Sequence, residues 1–237
     1  MKLTALGVNG PYPAPGGACS GYLVESESGD TKLLLECGAG TLARLTQHAD
    51  IADISGIVLS HLHYDHISDM LVVKYMLQFT KLMRNIPVLA PNSPAHVRAM
   101  LDDAKLDFLV PRDMTIGEMR LSFVPATHPV PAVSVKIECD GAVFVYTGDT
   151  NQNAQIELFS DGADLLLADA GLTDAQWSPK SPHLSAKLCG ELARNARVGA
   201  LLLTHLYPGI DQDALLDEAR ASYPAAQIAE AGATYLI

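Results

Sequence analysis

The sequence predicts a single α/β domain over residues 1–237, with β-rich halves and helices on the outside. Apolar runs of strand length, punctuated by Gly, Pro, Asn and Asp, recur through both halves. Amphipathic stretches of helical spacing alternate with them from residue 41 onward. No linker, sequence repeat, charge block or low-complexity tract divides these elements. A folded chain of this size buries roughly three quarters of its unfolded surface, so a substantial core is available.

The N-terminal third reads as strands over residues 2–8, 21–27 and 32–37, the last two joined by the hairpin turn Ser28-Gly29-Asp30. Between the first two lies Asn9-Gly10-Pro11-Tyr12-Pro13-Ala14-Pro15-Gly16-Gly17, whose prolines and glycines exclude a helix. A surface loop over an active site is expected there. Thr41 is expected to cap a short helix, and Gly56-Ile57-Val58-Leu59-Ser60 to form a buried strand. The spacing of Ile67, Met70, Leu71, Lys74, Met76 and Leu77 predicts a helix with an apolar face. Residues 87–90 form a short strand, and Ser93-Pro94 caps a helix running to about residue 105. Strands at 119–125, 132–139 and 142–147 follow, with Asp140-Gly141 as a hairpin signal. A short helix near 153–160, a strand at 164–169, a helix over 185–197 and a strand at 200–204 come next. The chain closes with a helix begun by Asp211 and stopped by Pro224, then strands around Ile228 and over 235–237.

Directly after the strand at 56–60 stands His61-Leu62-His63-Tyr64-Asp65-His66. Three imidazoles and a carboxylate clustered there are costly to desolvate unless something coordinates them, so a metal site is the cheapest explanation. His128, Asp149 and His205 each appear where an expected strand ends, and strand ends converge on one rim. His61, His63 and His128 are expected to hold one ion, and Asp65, His66 and His205 a second, with Asp149 bridging. A hydroxide shared by two such ions, its pKa lowered toward neutrality, is the expected nucleophile.

The formal net charge of −11 disfavours a protein that grips a nucleic-acid backbone, although a local cationic centre still attracts one phosphate. Cys19, Cys37, Cys139 and Cys189 are too widely spaced for a zinc knuckle and too few for a disulfide scaffold, which points to buried thiols in a reducing compartment. The first seven residues lack the apolar stretch of a signal peptide, and no run approaches the roughly 20 residues that span a bilayer. A cytoplasmic protein with no membrane partner is expected.

These residues resemble the metallo-β-lactamase superfamily, which carries HxHxDH followed by a distant His, Asp and His in this order. The chain is most similar to its ribonuclease Z-like phosphodiesterase branch, without the tRNA-binding arm. The resemblance covers nearly the whole sequence: Leu6-Gly7 before a Gly/Pro loop, Glu36-Cys37-Gly38-Ala39-Gly40-Thr41 where the branch has D-C-G-x-G-T, and Thr147-Gly148-Asp149-Thr150 for its G-D-T/S. Residues 163–170 resemble its A-D-L-L-x-x-E-A strand, with Asp169 in place of glutamate, and Pro182-His183-Leu184-Ser185-Ala186 its G-H-S-T-A loop.

The resemblance implies an αββα sandwich, two central sheets flanked by helices, and a catalytic centre of two Zn2+ or Mn2+ ions. It makes His183 the general acid for the leaving alkoxide, Asp169 its orienting partner, and Asp65 a catalytic carboxylate besides a ligand. Without it, His183 reads as a helix cap or surface residue and Asp169 as a strand end. Only a short hairpin fits between His128 and Asp149, where ribonuclease Z inserts its arm, so a small phosphodiester such as a cyclic nucleotide or short RNA is expected rather than a long tRNA. His63 stands where flavodiiron relatives carry glutamate, which favours zinc or manganese over iron.

The same chemistry serves attack on carbonyl carbon, so a lactonase or thioesterase is the alternative enzyme, and a metal-binding sensing module the non-enzymatic one. Tyr64 and Tyr207 flank ligands and read as packing residues, with hydrogen bonding to substrate as the second reading. His48 and His96 read as solvated. The apolar stripe over residues 70–83 reads as core, with the face of a homodimer as the second reading.

Overall fold

The computed structural model describes residues 1–237. The first half contains β1 (Lys2–Gly7), β2 (Gly21–Glu25), β3 (Lys32–Leu35), α1 (Thr41–Leu45), β4 (Gly56–Val58), α2 (Tyr64–Ile67), α3 (Met70–Phe79), β5 (Ile86–Leu89), α4 (Ala95–Met100) and β6 (Leu106–Leu109). The second contains β7 (Met114–Ile116), β8 (Met119–Pro125), β9 (Val133–Cys139), β10 (Ala142–Tyr146), α5 (Ala154–Phe159), β11 (Leu165–Asp169), α6 (Ala186–Asn195), β12 (Ala200–Thr204), α7 (Gln212–Arg220), β13 (Gln227–Ile228) and β14 (Thr234–Leu236).

They form two seven-stranded sheets, in the orders β14-β1-β2-β3-β4-β5-β6 and β13-β12-β11-β10-β9-β8-β7. From β14 to β3, and again from β7 to β10, neighbours are antiparallel; from β3 to β6, and from β10 to β13, they are parallel. The two sheets thus repeat one pairing pattern that has no counterpart as a repeat in the sequence, because pairing direction depends on connections and not on which apolar residues fill the strands.

Strand alternation explains the layers. Leu3, Ala5, Tyr22, Val24, Leu33 and Leu35 point one way and pack with residues of the second sheet, such as Phe144 and Tyr146. Their neighbours Leu6, Leu23 and Leu34 point the other way, into a second core with Leu45, Met70, Val73 and Leu77 of the helices. Tyr22 and Tyr146 meet between the sheets with ring centroids 5.2 Å apart. The expected sandwich of two sheets flanked by helices is therefore the observed one. No helix is long and apolar enough to cross a membrane.

Local departures have identifiable causes. Thr41 does not cap α1 but opens it: Gly40 takes the cap position at φ 88°, and the Thr41 hydroxyl donates to Gly38 O at 2.7 Å. The helix expected from Ile67 is two pieces, because α2 begins at Tyr64 and already carries Asp65 and His66. The break at Asp69 is tied back to the Cys37 turn: Asp69 N donates to Cys37 O at 3.0 Å, and the Asp69 carboxylate accepts from Leu42 N at 2.9 Å. In α3 the buried face is Met70, Val73 and Leu77. Leu71, expected inside, is 44% exposed, since it sits about 100° round the helix from Met70. Val72, Tyr75, Phe79 and Met83 are exposed with it, so the stripe over residues 70–83 is only partly core. α4 stops at Met100, and the residues expected to prolong it instead lead into β6. The strands β6 and β7 were not expected, since both alternate too little over too few residues to stand out from loop.

Candidate metal centre

The centre lies where strands end. The segment 61–66 follows β4; His128 follows β8, Asp149 follows β10, Asp169 ends β11 and His205 follows β12. In the second sheet β8, β10, β11 and β12 all run the same way, so their C-terminal ends share one rim. All seven expected ligands meet here. His61, His63, His128 and Asp149 each bring one ligand atom, these atoms lying within 4.8 Å of one another, and Asp65, His66 and His205 form a second such group. Asp149 stands between them, its carboxylate 3.6 Å from His61 Nε2, 3.4 Å from His66 Nε2 and 3.3 Å from His205 Nε2. His48 and His96 are exposed, as expected.

The donor atoms fit a pair of divalent cations. His61 Nε2, His66 Nε2 and Asp149 Oδ1 face one another, buried and without a hydrogen-bond partner, which is costly unless a cation binds them. Nitrogen and carboxylate oxygen donors in such sets suit zinc or manganese. His128 Nδ1–H donates to Pro182 O at 3.1 Å, leaving Nε2 bare and 3.1 Å from His63 Nδ1.

The electrostatics agree. Burial pushes His61, His63 and His128 below the ordinary imidazole range, the neutral state a cation requires. Burial alone would raise Asp149, but His205, His66 and His61 hold it far below the usual carboxylate range; Asp65 is lowered by His205 and His66 in the same way. Burial likewise opposes charge on His66, yet Asp149 and Glu36 hold it well above the imidazole range. A cation binding at His66 therefore displaces a proton.

Two supporting residues were missed by sequence reasoning. Glu36 is fully buried, with its backbone in the left-handed region at φ 59°. Its carboxylate accepts from Ser60 N at 3.1 and 3.2 Å and lies 3.4 Å from His66 Nδ1, so it holds both the entry to the ligand segment and one ligand ring. The available signal was its place at the acidic position of the segment Glu36-Cys37-Gly38-Ala39-Gly40-Thr41, just after β3. Ser60 Oγ lies 3.0 Å from His61 Nδ1 and orients that ring. Glu36→Ala is expected to weaken cation affinity about 10- to 100-fold, read by competition with a chromophoric chelator; an unchanged affinity would remove this orienting role.

His183 sits in the loop before α6, its ring 4.8 Å from the His205 ring. Asp169 reaches it despite being shorter than glutamate: Asp169 Oδ2 is 2.9 Å from His183 Nδ1. That carboxylate also accepts from Thr150 N and Gly171 N, both at 3.1 Å, so it is fixed before it meets the imidazole. Burial lowers His183, but Asp169 outweighs this and raises it to about 9. Tyr64 is exposed at the start of α2, and Tyr207 pairs with Tyr12 at the surface. Cys37 is buried, and its thiol is pushed above the cysteine range by burial, as suits a packing residue.

Residues 31–206 match the β-lactamase superfamily domain. The Bacillus subtilis (strain 168) protein YhfI, a probable metallo-hydrolase, is 29% identical over 214 residues covering 87% of each chain. The crystal structure of YhfI, a metallo-β-lactamase fold protein, superposes with a TM-score of 0.93 at 28% identity, over 99% of this chain and 98% of that one. A ribonuclease Z of Methanopyrus kandleri is 26% identical over 274 residues, 98% of this chain and 96% of its own. Human tRNase Z, short form, shares the fold at a TM-score of 0.80 and 18% identity, over 100% and 99% of the two chains. The family match runs through the whole ligand set from His61 to His205, and the chain belongs to the β-lactamase superfamily of metal-dependent hydrolases.

Proposed function

We propose that the protein hydrolyses a small phosphodiester, such as a cyclic nucleotide or short RNA, with two zinc or manganese ions. The observation that carries this reading is the His183–Asp169 pair at 2.9 Å beside the donor cluster. An alkoxide is a poor leaving group and needs a proton as its bond to phosphorus breaks. His183 can supply that proton. Its Nδ1–H donates to Asp169, which orients the ring and favours its cationic form, and Nε2–H is then the proton given to the departing oxygen.

His61, His63 and His128 would hold one cation, and Asp65, His66 and His205 the other, with the Asp149 carboxylate reaching toward both sets. Such a pair of cations supplies activated water near neutral pH and stabilises charge on the phosphoryl oxygens. Asp65 and Asp149 are the carboxylates placed to orient that water or take its proton. The similarity to a ribonuclease Z supports a phosphodiester over a carbonyl substrate. Between His128 and Asp149 the chain forms only β9 and β10, with no arm to hold a long tRNA.

The test is steady-state hydrolysis of bis(p-nitrophenyl) phosphate by zinc- and manganese-loaded protein beside a lactone substrate. Diester turnover that requires the added metal is expected. Lactone opening without diester turnover would overturn the reading in favour of carbonyl hydrolysis.

A further inference from the structure

The loop between β1 and β2 reaches the centre through its glycine. Gly10 N and Asn9 Nδ2 both donate to Leu206 O at 3.2 Å, and Leu206 N donates to Val8 O at 2.7 Å. This ladder ties the loop to the segment that carries His205. The approach is so close that a Cβ on Gly10 would stand 2.0 Å from His205 Nε2, the same nitrogen that faces Asp65 and Asp149. Only glycine fits there.

Close in sequence to these contacts, Tyr12 and Tyr207 meet edge to face, with ring centroids 5.6 Å apart and planes at 75°. Both are 48% exposed, so the pair fills no core. It is nevertheless held in place. Tyr12 lies between Pro11 and Pro13, whose rings restrict the backbone on either side. Asn9 Oδ1 accepts from Ala14 N at 3.3 Å, and Arg44 donates to Leu6 O at 2.9 Å and to Gly16 O at 2.7 Å, closing the base of the loop. Two aromatic rings carried by segments that are tied together next to His205 lose little freedom when a flat ligand stacks on them.

We propose that Tyr12 and Tyr207 form a stacking platform for the heterocyclic base of the substrate, which makes the substrate a nucleotide diester and not a base-free sugar or glycerol diester. The proposal rests on the phosphodiesterase reading and deepens it. Phosphate at the cations and base on the tyrosines divide recognition between charge and stacking, and stacking is tolerant of base identity.

The experiment compares metal-loaded wild type, Tyr12→Leu, Tyr207→Leu and Tyr12→Phe on 3′,5′-cyclic AMP and on glycerol 1,2-cyclic phosphate. Both Leu variants are expected to raise KM for the nucleotide about five- to a hundredfold, the range of a lost stacking contact, while kinetics on the glycerol diester stay within about twofold. Tyr12→Phe keeps the ring and is expected to behave as wild type. Equal losses on both substrates, or no change on the nucleotide, would overturn the platform. Calorimetric binding of AMP and of ribose 5-phosphate separates this from the phosphodiesterase reading. If wild type hydrolyses neither diester, that reading fails, and the platform stands only if AMP binds more tightly than ribose 5-phosphate and loses that advantage in the Leu variants.

Discussion

Asp149→Ala is expected to abolish turnover and to lower the cation content below two per chain. The expected loss in kcat/KM is on the order of 10⁶-fold or more, the lower end of what enzymes supply over the uncatalysed reaction. The size follows from position: this one carboxylate lies within 3.6 Å of imidazoles from both donor sets, so its removal disturbs both at once. It also leaves the buried His66 without the strongest of the charges that hold it cationic. Asp149→Asn keeps the volume and separates loss of charge from loss of packing. Metal analysis by atomic absorption, run beside the diesterase assay, decides the matter. Two equivalents of metal with unimpaired turnover in the Ala variant would show that Asp149 does not serve the centre.

His183→Ala is expected to behave differently, keeping the cation content and losing about 10²- to 10⁴-fold in kcat. His183 lies outside the groups His61–His63–His128–Asp149 and Asp65–His66–His205, and although it also falls near Asp149 and His205, its Nδ1 is engaged by Asp169. The loss should depend on the leaving group: large for an alkyl alkoxide, small for p-nitrophenolate, which departs without a proton. A uniform loss across leaving groups would reassign the residue to substrate binding. The pH dependence has a definite sign. Asp169 raises His183 to about 9, so its acid form is present at neutral pH and disappears as pH rises through that value. Cations at the centre lower it, so the falling limb on metal-loaded protein should lie below about 9. Asp169→Ala removes the raising charge and should move that limb to still lower pH, whereas a merely structural Asp169 would leave it in place.

Much of the centre was legible because its donors are side chains placed by strand ends. His61, His63, Asp65 and His66 are neighbours in the chain, and His128, Asp149 and His205 each follow an apolar run whose alternation or length marks a strand. The aspartate at 169 could be named but not judged, since its reach to His183 depends on how β11 and the loop before α6 are set against each other. Glu36 stood in a motif segment, but its role escaped because its reach to Ser60 and His66 depends on β3 being paired with β4. The Pro182 carbonyl that orients His128 carries no side-chain signal at all.

The secondary structure shows the same division. The turns at Ser28-Gly29-Asp30 and Asp140-Gly141 and the helix starts at Asn153, Ser185 and Asp211 are local, and sequence located them; in the structure those three residues are the caps. The split between α2 and α3 was hidden, because Asp69 stops the helix through partners at Cys37 and Leu42, about thirty residues earlier in the chain.

Sequence by itself determined the donor types, their order and the strands that carry them, since periodicity and ligand chemistry act within a few residues. Only the tertiary structure decided that those donors meet, which groups orient them, and that Tyr12 meets Tyr207. Those relations join residues as much as 195 positions apart, and they are set by strand pairing and core packing across the two sheets.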